Sequence, residues 1–141
     1  MSPTQLLLLP AFVHVAFVLV LVSRIGLGRV RAARKGQVRM KDVALDGSKW
    51  PDDLRKLANN YENQFEIPVL YYAALALMLV TGLVDGAVIG LSWAFVATRI
   101  VHSFIHTGGN VVFRRFQAFA AGVACLALMW AWFGLRLFVI G

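Results

Sequence analysis

Two sets of polar residues recur at helical spacing in an otherwise apolar chain. Arg55, Asn59, Glu62 and Glu66 are separated by four, three and four positions, and Arg99, His102 and His106 by three and four, with Asn110 four further on. On an α-helix these spacings put each set on one face. Guanidinium and amide groups hold carboxylates, a carboxylate holds an ammonium group, and imidazoles exchange protons or bind metals. An unpaired charge among apolar residues is costly, so each one needs an account. One account is structural: Arg99 bridges to Glu62 or Glu66, and Asn59 hydrogen-bonds between helices. The other is a polar cavity for an anionic ligand. A structural bundle needs one such bridge, whereas two parallel stripes with more cations than anions suit a ligand that brings negative charge.

His102 and His106 have a spacing that two metal ligands on one helix can use. No glutamate of the His-Glu-x-x-His kind stands between them and no cysteine cluster accompanies them, so no metal is expected. Haem held between His14 and a histidine of the 99–106 segment is a further possibility outside these two accounts. Cys125 is the single cysteine, which excludes an intrachain disulfide, and its apolar surroundings make it inert.

The elements that must carry these stripes follow from composition. Of 141 residues, 60% are hydrophobic and 15% charged, with a mean hydropathy of +0.72. A soluble domain of this size cannot bury so much apolar surface. A soluble enzyme, a disordered chain and a disulfide scaffold are excluded. Four apolar runs, at about 5–27, 65–84, 87–105 and 116–140, are each about the 20 residues that cross a bilayer as a helix, and the spans are placed at about 5–27, 59–84, 87–106 and 116–140. None alternates with period two, so strands are excluded. The first run lacks the basic start and cleavage site of a signal peptide and is taken as a span. The sequence predicts an all-α integral membrane protein: one domain, 1–141, folded as a bundle of four transmembrane helices. Asp52 or Asp53, after Pro51, is predicted to cap the helix that carries Arg55.

The charges set the orientation. Ten of the fourteen Lys and Arg residues lie between Arg24 and Lys56, and Arg114 and Arg115 follow the third run. With four spans these two connections share one side. The positive-inside rule makes that side cytoplasmic, including the loop at about 28–54, and places both termini on the other. Topology and anionic lipid headgroups then account for the net charge of +7, with no nucleic-acid partner.

At the polar stripes the sequence resembles the MAPEG family, the membrane-associated proteins in eicosanoid and glutathione metabolism. Arg55-Lys-Leu-Ala-Asn59-Asn-Tyr-Glu62, with Pro68 beyond, is similar to the family's R-x-x-x-N-x-x-E pattern. Arg99-Ile-Val-His102-Ser-Phe-Ile-His106 resembles its R-x-x-H-(S/T)-x-x-Y pattern, followed by a basic position at Arg114 or Arg115. The resemblance implies a homotrimer with glutathione as co-substrate between adjacent subunits, close to the microsomal glutathione transferases. It implies that Arg55, Asn59 and Glu62 hold the tripeptide, that Arg99, His102 and His106 contribute from the next span, and that Arg34 stands at the site mouth. Arg114 or Arg115 would be the catalytic cation beside the sulfur.

Two positions depart from the pattern: His106 stands where the family has tyrosine, and Pro68 comes six residues after Glu62. A shifted register, Asn63-Gln-Phe-Glu66, also precedes Pro68 but has no arginine four residues earlier. The expected function is a glutathione-dependent transferase or peroxidase acting on a lipophilic substrate. The alternatives are a non-catalytic lipid-binding or scaffold protein on the same fold, and a haem-bearing membrane electron carrier.

Overall fold

Ser2 and Gln5 close a reciprocal capping box around Pro3, and a helix of 32 residues, α1 (Pro3–Arg34), starts there in the computed structural model, which describes residues 1–140. At 1.5 Å per residue it is about 48 Å long. It therefore extends well past the span expected at 5–27, and the first part of the expected loop is helix. Arg31 and Arg34 occupy its last turn, where cations suit the helix dipole. Gly36, at φ 67°, lets the chain turn away. A short helix, α2 (Met40–Val43), and a 3₁₀ turn (Gly47–Lys49) lead to Pro51.

The expected second span is not one helix. It consists of α3 (Asp52–Glu62) and α4 (Pro68–Thr81), separated by a turn through residues 63–67. Pro68 is the cause. Its ring lacks an N–H and would collide with the carbonyl of Gln64 in a continuous helix, but it fits the first position of a new one. The predicted cap is also absent: Asp52 and Asp53 lie inside the first turn of α3, and Asp52 pairs with Arg55 at 3.1 Å. They still place negative charge at the positive end of the helix.

Asp85 starts α5 (Gly86–Thr107) by accepting hydrogen bonds from the amides of Ala87 and Val88. After a turn at Gly108–Val111, α6 (Val112–Leu135) returns and ends in a π turn, Arg136–Ile140. Among the described residues, three helices, α1, α5 and α6 with its π turn, are long and apolar enough to cross a membrane, and α4 is a shorter apolar helix.

Helix α5 is the axis of the bundle, packed against α1, α3 and α6. Its buried residues run its whole length as Val88, Ser92, Phe95, Val96, Arg99, His102, Ser103 and His106. The upper half of that stripe meets the apolar core, where Tyr71 stacks on Phe95 with centroids 4.7 Å apart and bonds Ser92 at 2.7 Å. Helix α6 lies close because Gly122 faces Thr98, where a β-carbon would come within 2.8 Å of the hydroxyl oxygen. Outward, Phe12, Leu19, Val80, Phe104 and Phe138 are exposed, as in a protein whose solvent is lipid.

Candidate functional site

The lower half of the α5 stripe is polar, and the elements around it explain where each side chain points. Helix α3 presents Leu54 and Asn60 inward and Arg55, Asn59 and Glu62 outward. Helix α6 brings Arg115, Phe116 and Phe119 alongside. Between α3, α5 and α6 lies a cleft of ≈ 420 Å³ lined by Asn59, Asn63, His102, His106, Val112, Arg115, Phe116 and Phe119. That volume falls within the range of about 300–1,000 Å³ usual for small-molecule sites. Arg115 is held by Asn110, whose side-chain oxygen accepts from Nη1 at 2.8 Å.

Arg99, His102 and His106 are all buried, as their spacing predicted. The bridge from Arg99 to Glu62 or Glu66 is absent: no carboxylate lies within 4 Å of it among the described residues. Arg99 instead donates from Nη2 to the backbone oxygen of Asn63 at 2.7 Å. This is a cation on the carbonyl end of α3, a favourable placement created by the break before Pro68. Its Nε, and Nδ1 of both histidines, are enclosed without partners.

A second groove of ≈ 270 Å³ adjoins the cleft at Asn59. Arg29, Ser48, Trp50, Arg55 and Glu62 line it. Arg29 lies over the Trp50 ring, 5.2 Å from its centroid, which fixes the end of the long loop against α1. The structure therefore brings Arg55, Asn59 and Glu62 together on one surface and Asn59, His102, His106 and Arg115 on the next. Arg34 is exposed beyond both, and Arg114 is exposed and lines neither. Glu66 does not extend the α3 stripe, because it lies in the turn after the helix has ended.

Asn60 and Gln64, which the sequence reading passed over, are fully buried. Asn60 donates to the Ser103 hydroxyl at 2.7 Å, and Gln64 donates to the Asn60 backbone oxygen at 3.0 Å. Gln64 Oε1 meets His14 Nε2 at 3.2 Å, and His14 Nδ1 meets the Tyr72 hydroxyl at 2.7 Å. This chain of hydrogen bonds ties α1, the break, α4 and α5 behind the cleft. Both ring nitrogens of His14 are thereby engaged, so it has none to offer haem. The four-residue spacing of Asn60 and Gln64, on the face that carries Leu54 and Leu57, was the available signal.

A family model described as the MAPEG family matches residues 7–135. No curated protein and no solved structure matches the chain.

Proposed function

The chain belongs to the MAPEG family, integral membrane proteins of glutathione and eicosanoid metabolism, and from this we propose that it is a glutathione-dependent transferase or peroxidase for lipophilic substrates. One observation carries the proposal. The cleft has a cation, two imidazoles and two amides but no carboxylate, and through Asn59 it joins a groove with Arg29, Arg55 and Glu62. Arginine forks suit the two carboxylates of glutathione, and Glu62 suits its α-amine. The cleft then receives the thiol end beside Arg115, where a cation favours the thiolate. Val112, Phe116 and Phe119 give the same cleft an apolar wall for the second substrate.

The outward polar face of α3 suits a site completed by a neighbour. We propose a homotrimer in which Arg34 and Arg114, both outside the cleft of their own protomer, face the adjacent subunit's ligand. The basic end of the bundle would be cytoplasmic, with both termini on the other side. Calorimetry with glutathione in detergent tests the site: wild type binds, and Asn59→Ala and Glu62→Ala weaken binding at least tenfold, about 1.4 kcal/mol. A loss seen only with Glu66→Ala would move the register by four residues.

The non-catalytic alternative draws on the same apolar wall and on His106, an imidazole where the family pattern has a hydroxyl. No glutathione binding, together with saturable binding of a fatty acyl ligand, would favour it.

A further inference from the structure

Among the cleft-lining residues, only two side chains can accept a proton near neutral pH. Asn59 and Asn63 are amides, Val112, Phe116 and Phe119 are apolar, and Arg115 stays protonated. His102 and His106 remain. They are 4% and 6% exposed, with ring centroids 5.7 Å apart at 73°. Each Nδ1 is enclosed and unpartnered, which leaves Nε2 as the nitrogen able to meet a ligand. Both rings line the same cavity, so Nε2 of each is placed to accept from a ligand's S–H group.

The charges around the two rings differ. Arg115 of α6 is a nearby cation for both rings, with Arg99 added at His102 and Lys56 of α3 added at His106. His106 is also one turn nearer the open basic end. A ligand entering the cleft from that end meets His106 before His102.

We propose that His106 is the proton acceptor for the thiol bound in this cleft, an inference that rests on the glutathione reading above. In the step, the S–H bond breaks and an N–H bond forms at Nε2 of neutral His106. The sulfur keeps the electron pair as a thiolate beside the Arg115 guanidinium. The net charge of the cleft is unchanged, so the transfer needs no proton to reach solvent. With an epoxide as electrophile, the thiolate forms the S–C bond, the C–O bond breaks, and the alkoxide oxygen takes the proton back from His106. His102, in edge-to-face contact with His106, is a positioning residue that limits rotation of its ring.

The test uses the detergent-solubilised protein with glutathione and with S-methylglutathione, which has no S–H. Wild type is expected to bind both, to show the ultraviolet thiolate band at neutral pH, and to release no proton to buffer when glutathione binds. Calorimetry in buffers of different ionisation enthalpy counts that proton. His106→Gln should still bind S-methylglutathione but lose the thiolate band at neutral pH. Its conjugation rate with an epoxide should fall by about 100-fold. A thiolate band retained in His106→Gln, a band lost only in His102→Gln, or one proton released per glutathione by wild type would each overturn the assignment. The wild-type proton count decides on its own should a variant fail to fold. If wild type binds neither probe, the glutathione proposal fails and takes this one with it; if it binds both, the outcomes above concern His106 alone.

Discussion

The two ends of α5 handle charge in opposite ways. At its start, Asp85 caps the helix with one oxygen and with the other accepts from Trp132 at 2.9 Å and Arg136 at 2.6 Å. Burial raises the Asp85 carboxyl, but the bonds from Trp132, Val88 and Ala87 and the charge of Arg136 outweigh it, holding the group below the ordinary carboxylate range. Only Arg136 Nε is left over there. At the other end, among the described residues, Arg99 and Arg115 have no carboxylate within 4 Å, and Nδ1 of both histidines has no hydrogen-bond partner. A cluster that neutralises itself is a clasp between segments. One that leaves donors and acceptors open, around a cavity, is built to be completed by something else.

The contrast is most strongly tested by Arg115→Ala. If Arg115 is the cleft cation, glutathione affinity falls by about 2–5 kcal/mol, the cost of truncating one side of a desolvated charge contact. Arg114→Ala, at an exposed position outside the cleft, should change stability by less than about 0.5 kcal/mol. Titration calorimetry and thermal unfolding read the two variants side by side.

Gln64→Ala should cost about 1–3 kcal/mol of stability, because His14 Nε2 and the Asn60 carbonyl lose a buried partner. Chemical unfolding in mixed micelles measures that loss. Asp85→Ala comes next, at about 1–2 kcal/mol, combining a lost N-cap with a partly exposed ion pair. It should leave glutathione affinity unchanged, since the clasp is at the far end of the bundle. The pH dependence has a definite sign. The folded carboxyl titrates below its unfolded value of about 3.9, so its stabilisation is fully present above pH 4. It is lost as pH falls through the lower folded value, and unfolding midpoints of wild type and Asp85→Asn should converge there.

Among the paired side chains, the smallest effect on stability belongs to Arg55→Ala. Its partner Asp52 is 85% exposed, so breaking the pair should cost about 0–1 kcal/mol. If Arg55 holds a ligand carboxylate, affinity falls while the unfolding midpoint barely moves. An unfolding shift without an affinity change would make it a structural residue and remove it from the site.

The α5 stripe from Arg99 to His106 was legible in the sequence, because spacing of three and four residues among apolar neighbours suits one buried helix face, whereas Asn110, four residues further on, lies past the helix end at Thr107. The caps at Ser2 and Asp85 rest on side chains that act within their own turn. The inward face of α3 was harder to read. Asn59 and Asn60 differ by about 100° around the helix, and which one is buried depends on where α1 and α5 pack. The partner of Arg99 was hidden for a related reason. It is a backbone carbonyl freed only because the helix stops before Pro68, while charge pairing drew attention to Glu62 and Glu66. The stop itself follows from proline's missing N–H, but apolar residues on both sides of it suggested a continuous span.

That stop has a consequence for the surrounding membrane. Helix α4 has 14 residues, about 21 Å at 1.5 Å per residue, against a hydrocarbon slab of roughly 30 Å. The shortfall is a hydrophobic mismatch on one flank of the bundle, which local thinning of the lipid or contact with another subunit relieves. Thinning draws headgroups and water down toward the turn at 63–67, beside the cleft. A water-soluble ligand then has a shorter distance to descend and a lipid-soluble one a shorter distance to rise. In bilayers of longer acyl chains the pinch costs more, so the protein should favour thin membranes and work best in them.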